Sequence, residues 1–217
     1  MEVFLTADLH FDHYSKGGGI LKWTPRPWSC IEEMNEALIA NWNATVPRSG
    51  LTWVLGDFAW RRHAHFLQRL NGKTILVKGN HDRMPEEALR LFKDVRDGET
   101  MMSFGNHQQM WGTHYCPRVW NRGHYGIPCA FGHSHGRIRT FNLSFDTGID
   151  SKDITDEYRP NHLDEALAWV AGRREEMMSA GRIVGKGIGG QLLYRQDDVA
   201  WALKQRDERI EDGEEEE

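Results

Sequence analysis

Cysteine is scarce in this sequence: Cys30, Cys116 and Cys129 are the only three in 217 residues, and no two lie close together. The spacing argues against the paired thiolates of a structural zinc site and against a disulfide framework. An odd count without a framework leads us to expect a reducing compartment, the cytoplasm. No apolar run approaches the roughly 20 residues of a membrane helix. The opening MEVFLTADLH lacks the basic-then-apolar pattern of an export signal, so no membrane partner is expected. The first 180 residues hold no long Gly/Ser linker and no abrupt change of composition, which leads us to expect one core. A surplus of positive charge is also missing. The formal net charge of −5 argues against a nucleic-acid binder driven by general phosphate neutralisation, while leaving room for a local basic lip around a metal pocket. No repeat is evident, and the nine tryptophans are scattered as core and rim residues would be.

What the chain does have is histidine, aspartate and asparagine placed just after short apolar runs. Val3 to Ala7 reads as a strand ending at Asp8 and His10, which a two-residue period turns to one side. Leu51 to Leu55 reads as a second strand that delivers Gly56 and Asp57, and Thr74 to Lys78 as a third that delivers Gly79, Asn80, His81 and Asp82. Helical segments lie between them. Ser29 with Glu32 reads as a capping box opening a helix whose Ile31, Met34, Leu38 and Trp42 share one face. Arg61 to Leu70 reads as a helix with His63 and His65 on the surface, and Met84 to Lys93 as another, with Pro85 in its first turn. Strand-then-motif units of this kind indicate parallel strands with a site at their carboxyl ends. Oxygen and imidazole donors in such numbers suit divalent transition metals in a catalytic rather than a structural site.

Five motifs occur in order: TADLH, LGDFAW, KGNHDR, GTHYCP and FGHSHG. Together they resemble the calcineurin-like metallophosphoesterases, in particular their small single-domain phage and bacterial members, from Met1 to about Asp150. The resemblance implies an α/β fold of two mixed β-sheets packed face to face and flanked by helices, a four-layer sandwich. It also implies two divalent metal ions, one held by Asp8, His10, Asp57 and His135 and the other by Asp57, Asn80, His114 and His133, with Asp57 shared. Manganese is the expectation, and Fe, Zn, Co or Ni also suit these donors. Metals ~3.5 to 4 Å apart would activate a bridging hydroxide for in-line attack on a phosphate ester. His81, free of metal, would be the general acid, with Asp82 as the partner orienting its ring. Phe58, Ala59 and Trp60 stand where protein phosphatases carry a further Asp and Arg, so a small phosphodiester or phosphomonoester, or a nucleotide, is the expected substrate. The rival reading is a non-catalytic metal-binding scaffold with the same fold. His13, Arg83 and Arg118 could touch substrate, although a solvated surface residue is the commoner reading of each.

The second half reads as short strands at Met101 to Phe104, Gln108 to Thr113, Cys129 to Phe131, Ile138 to Phe141 and Ser144 to Ile149, a second and more antiparallel sheet. Asp150 to Pro160 reads as polar loop. His162 to Ala180 follows a helical pattern with Leu163, Leu167, Val170 and Met177 or Met178 inward. The phosphoesterase domain is thus expected over residues 1–180, with residues 181–217 as a C-terminal extension. In that extension GKGIGG lacks the full strand and helix that a dinucleotide fingerprint needs, and reads as a turn or linker. A short helix near Val199 to Leu203 and a solvated acidic tail, EDGEEEE, would follow.

Overall fold

The computed structural model describes residues 1–186 and 192–194. Its elements in chain order are β1 (Val3–Thr6), α1 (Ile20–Trp23), α2 (Ile31–Thr45), β2 (Leu51–Val54), α3 (His63–Leu67), β3 (Lys73–Val77), α4 (Glu86–Leu89) and β4 (Asp94–Arg96). They continue with β5 (Thr100–Ser103), β6 (Gln109–Gly112), β7 (Cys129–Phe131), β8 (Ser144–Asp146), β9 (Asn161–His162), α5 (Leu163–Ser179), β10 (Ile183–Lys186) and β11 (Leu192–Tyr194). One sheet has the order β4-β3-β2-β1-β9 and the other β5-β6-β7-β8. In the first, β1 to β4 are parallel and only β9 runs against them.

Alternation along the strands explains the layers. On one face of the first sheet, Leu5, Trp53, Leu55, Ile75 and Val77 join Met102, Met110, Ala130 and Phe145 of the second sheet in one apolar cluster, to which α5 adds Leu163, Ala166 and Val170. On the other face Phe4, Val54 and Leu76 meet Met34, Leu38, Ile39 and Trp42 of α2. A parallel sheet covered on both faces in this way needs nearly continuous apolar strands, as LTWV and KTILV supply. The two mixed sheets with flanking helices are the expected architecture.

Several local expectations are corrected. Ser29 does not pair with Glu32: its N–H and hydroxyl both donate to Glu33, and α2 begins after Cys30, which makes no side-chain cap. The segment 84–93 is helical only at α4, because the chain must be extended by Asp94 to pair β4 with β3. His63 is buried rather than exposed, with Nε2 3.1 Å from the Ala59 carbonyl oxygen. The second sheet is less antiparallel than expected: β5 and β6 are antiparallel, but β6, β7 and β8 run parallel. Ile138 to Phe141 forms no strand, since the chain turns there to let the Ser144 N–H and hydroxyl reach the Phe141 carbonyl oxygen. The helix at α5 buries Leu163, Val170 and Met177 and leaves Met178 exposed. Part of the GKGIGG run is in β10, which pairs with β11; its remainder, the expected terminal helix and the acidic tail lie outside the described residues.

Candidate metal centre

Parallel strands put their carboxyl ends on one side, and the motif residues follow those ends. Asp8 and His10 come after β1, Asp57 after β2, Asn80 and His81 after β3, His114 after β6, and His133 and His135 after β7. The fold brings them into two groups: Asp8, His10 and His135, and Asp57, His114 and His133, each with ligand atoms within 4.8 Å of one another. Asp57 lies between the groups, its Oδ2 3.5 Å from His10 Nε2 and 3.5 Å from His114 Nε2. Asn80 Oδ1 is 3.0 Å from His114 Nε2.

The backbone is bent to achieve this. Asp8, His10, Asp57, His133 and His135 all have φ between 49° and 65°, a left-handed conformation that costs a non-glycine residue about 1 kcal/mol or more and that collects at functional sites. Glycines supply the close approaches. A Cβ on Gly79 would lie 2.3 Å from Asp57 Oδ1, and one on Gly56 2.2 Å from His114 Nδ1.

The donor set fits divalent cations. Asp8 Oδ1 and His10 Nε2 are buried without a hydrogen-bond partner, an arrangement that is expensive unless something charged meets them. Burial, reinforced by Asp146, Asp57 and Asp150, pushes the Asp8 carboxyl well above its ordinary value. Burial, with Arg26 nearby, holds His10 well below its own. Each group therefore favours its neutral form, and for Asp8 a bound cation would supply the missing counter-charge. In the other group burial opposes ionisation of both Asp57 and His114, but their mutual attraction wins: Asp57 is lowered and His114 raised. His133 is lowered by burial and by His114.

Three residues that bind this arrangement together were not foreseen. Asp150 Oδ2 is 2.6 Å from His135 Nδ1. Arg26, buried, donates Nε and Nη2 to the two Asp150 oxygens at 2.7 Å each, and its Nη2 and Nη1 also reach the carbonyl oxygens of Asp8 (2.6 Å) and Leu9 (2.9 Å). Asp146 accepts from Ser134 Oγ and from the N–H groups of Gly136 and Gly148, fastening the loop that carries His133 and His135. Asp150 and Asp146 follow or end β8, so the strand-end rule that singled out Asp8 and Asp57 could have found them. Arg26 sits in an aperiodic loop and gave no such signal.

Asp82 is corrected in its contacts. Its carboxylate accepts from the N–H groups of Asp57, Phe58 and Gly79 and makes no hydrogen bond to the His81 ring; it ties the second motif to the third. His81 is partly exposed, with Nε2 4.0 Å from Asp57 Oδ2. His13 does face the cluster: its Nδ1 is 3.0 Å from His10 Nδ1 and its ring stacks on Trp60 at 4.3 Å. Burial, and next to it the charge of His81, lowers His13 to about 4.

Residues 1–181 match the family model of the calcineurin-like phosphoesterases. The chain belongs to that family. A 91-residue stretch is 35% identical to an uncharacterized protein, MJ1445, of Methanocaldococcus jannaschii, covering 40% of this chain and 49% of the relative; the chain thus spans about half the length of that curated relative. Among solved structures, a protein of unknown function from Aquifex aeolicus, AQ665, superposes with a TM-score of 0.57 at 17% identity, over 77% of this chain and 98% of that one, and shares the fold. A phosphoesterase of E. coli, Yfce, aligns more loosely, with a TM-score of 0.35 at 17% identity over 70% of this chain and 80% of that one. No helix among the described residues is long and apolar enough to cross a membrane.

Proposed function

We propose that this phosphoesterase works with two divalent metal ions on a phosphodiester or phosphomonoester. The observation that carries the reading is Asp57, whose Oδ2 stands 3.5 Å from an imidazole nitrogen of each donor group. Asp8, His10, Asp57 and His135 would hold one ion, and Asp57, Asn80, His114 and His133 the other. When bound, such ions, manganese first among the candidates, neutralise phosphoryl charge and lower the pKa of water at the site.

The chain's own residues do the remainder. His81 is the metal-free imidazole of the cluster and, being partly exposed beside Asp57, can hand a proton to a departing alkoxide. The Asp82 bonds to three backbone N–H groups keep the Asp57 loop and the His81 loop in register, so proton donor and donor groups share one frame. Asp150 holds the proton-bearing Nδ1 side of His135, leaving Nε2 for an ion, and Arg26 fixes Asp150 in turn. The absence of the protein-phosphatase Asp and Arg after Asp57 supports a small ester or nucleotide as substrate over a phosphoprotein.

The test is a panel of chromogenic phosphodiesters and phosphomonoesters assayed with manganese and with chelator. Metal-dependent turnover is expected on at least one ester. Stoichiometric metal binding with no turnover on any ester would support the scaffold reading instead.

A further inference from the structure

The charge of this chain is unevenly distributed. It has 32 Asp and Glu residues, yet none occurs from Thr100 to Phe145, where the charged residues are Arg118, Arg122, Arg137 and Arg139. All four are exposed, on the loops that follow His114 and His135. Elsewhere many arginines are taken up by carboxylates, such as Arg62 by Asp12, Arg69 by Glu36 and Arg159 by Glu165, although Arg174 donates to the Gly126 carbonyl oxygen instead. None of these four forms an ion pair among the described residues. Arg118 instead lies over the Phe141 ring at 4.5 Å, Arg122 donates to Gln109 Oε1 at 3.1 Å, and Arg137 donates to the Trp23 carbonyl oxygen.

The Arg118 contact joins the two loops into one surface. One cavity opens on it, and a second lies where the loop after His135 meets the end of α5. The first, of about 210 Å³, is lined by Arg118, Val119, Trp120 and His124. The second, of about 360 Å³, is lined by Arg139, Arg173 and Arg182 with Glu176, whose charge Arg173 already meets at 2.7 Å. Exposed aromatic rings stand on the same stretch: Tyr125, and Tyr115 at 4.6 Å from the His133 ring. Tyr115 therefore marks where this surface reaches the metal centre.

We propose that the loops after His114 and His135 form a binding track for a single-stranded nucleic acid, leading its phosphates to the donor cluster. Unpaired guanidinium groups favour a polyanion, and their spread over two loops favours several phosphates over one. Exposed Tyr rings and a cavity walled by Trp120 suit unstacked bases, which duplex DNA does not offer and an acidic protein lacks. The net charge of −5 is a sum over the whole chain and conceals this segregation. The inference rests on the phosphoesterase reading only for what happens where the track ends.

The test is fluorescence anisotropy with a fluorescein-labelled, phosphorothioate-linked single-stranded oligodeoxynucleotide, titrated at several salt concentrations. The full chain is compared with the double variant Arg122→Gln/Arg139→Gln. Metal-dependent turnover of bis(p-nitrophenyl) phosphate is measured in parallel. We expect the double variant to bind roughly 10-fold more weakly, with a log–log salt slope shallower by about 1.4, since each single-strand phosphate contact contributes about 0.7. Turnover of the small ester should be unchanged. No binding, a slope unaltered by the variant, tighter binding of the duplex, or equal competition by polyglutamate would each overturn the track. Loss of small-ester turnover in the unmutated chain would instead count against the phosphoesterase reading.

Discussion

The two donor groups are built alike in residue type and differently in support. Asp8, His10 and His135 are backed by side-chain charge: Asp150 meets His135, and Arg26 grips both Asp150 and the Asp8 and Leu9 carbonyls. Asp57, His114 and His133 are backed by main chain: His114 Nδ1 meets the Leu55 carbonyl oxygen at 2.9 Å, and Asp82 holds the Asp57 loop through N–H groups. The first group is the more deeply enclosed, whereas His133 is exposed beside Tyr115. The difference teaches that the first half of the centre can be damaged by breaking a pair of opposite charges, Asp150 and Arg26, and the second, its own ligands aside, by freeing the main chain that the Asp82 carboxylate holds.

The largest expected effect contrasts proton donor with ligand. His81→Ala should cost roughly 10² to 10⁴ in rate for an alkyl ester and little for a nitrophenyl ester, whose leaving group departs unaided. His114→Ala should depress both esters together, because it removes a donor. Equal losses on both esters for the two variants would break this division of roles.

Next comes the buttress. Asp150→Asn should weaken metal at the Asp8 group by about 10- to 100-fold, the usual cost of losing the partner of a ligating histidine, and leave the Asp57 group occupied. Manganese titration followed by calorimetry should therefore show one weakened and one intact site. Arg26→Met should act in the same direction and also destabilise the fold by about 3 to 5 kcal/mol, since it strands a buried carboxylate. Uniform weakening of both sites would show that the groups share their support.

The smallest effect is in pH. In metal-free protein the two groups' histidines should act with opposite signs. His10 is lowered, so its contribution falls as pH drops below the ordinary histidine value of 6.5 towards its folded value. His114 is raised, so its contribution is complete below 6.5 and is lost as pH rises through its folded value. A tenfold difference in proton affinity between folded and unfolded chain corresponds to about 1.4 kcal/mol. Urea unfolding of His10→Gln and His114→Gln across neutral pH, each relative to the unmutated chain, should show slopes of opposite sign; the same sign would contradict the assignment.

Legibility in the sequence followed the same division. Ligand candidates were visible because each follows a short apolar strand; what turns Asp8, His10, Asp57, His133 and His135 into one cluster is left-handed backbone past the strand ends, which no two-residue period reveals. The apolar face of α2 was visible for the corresponding helical reason. Short elements were not: α3 and α4 have five and four residues, too few for periodicity to separate a helix from a turn. Arg26 was hidden because its partner lies 124 residues away, and a single charged side chain in a loop carries no pattern. The bonds of Asp82 were hidden because they run to main-chain N–H groups, which nearly every residue has. The carboxylate-free stretch from Thr100 to Phe145 was open to inspection but is lost in any whole-chain charge sum.

The central claim is that Asp57 serves both groups, and metal stoichiometry tests it most directly. Elemental analysis of protein dialysed against manganese should give two ions per chain for the unmutated sequence. Asp57→Asn keeps the shape and removes the shared charge, so it should lose metal from both groups, with less than one ion retained. Two ions retained by Asp57→Asn, or a clean fall from two to one, would contradict the shared carboxylate.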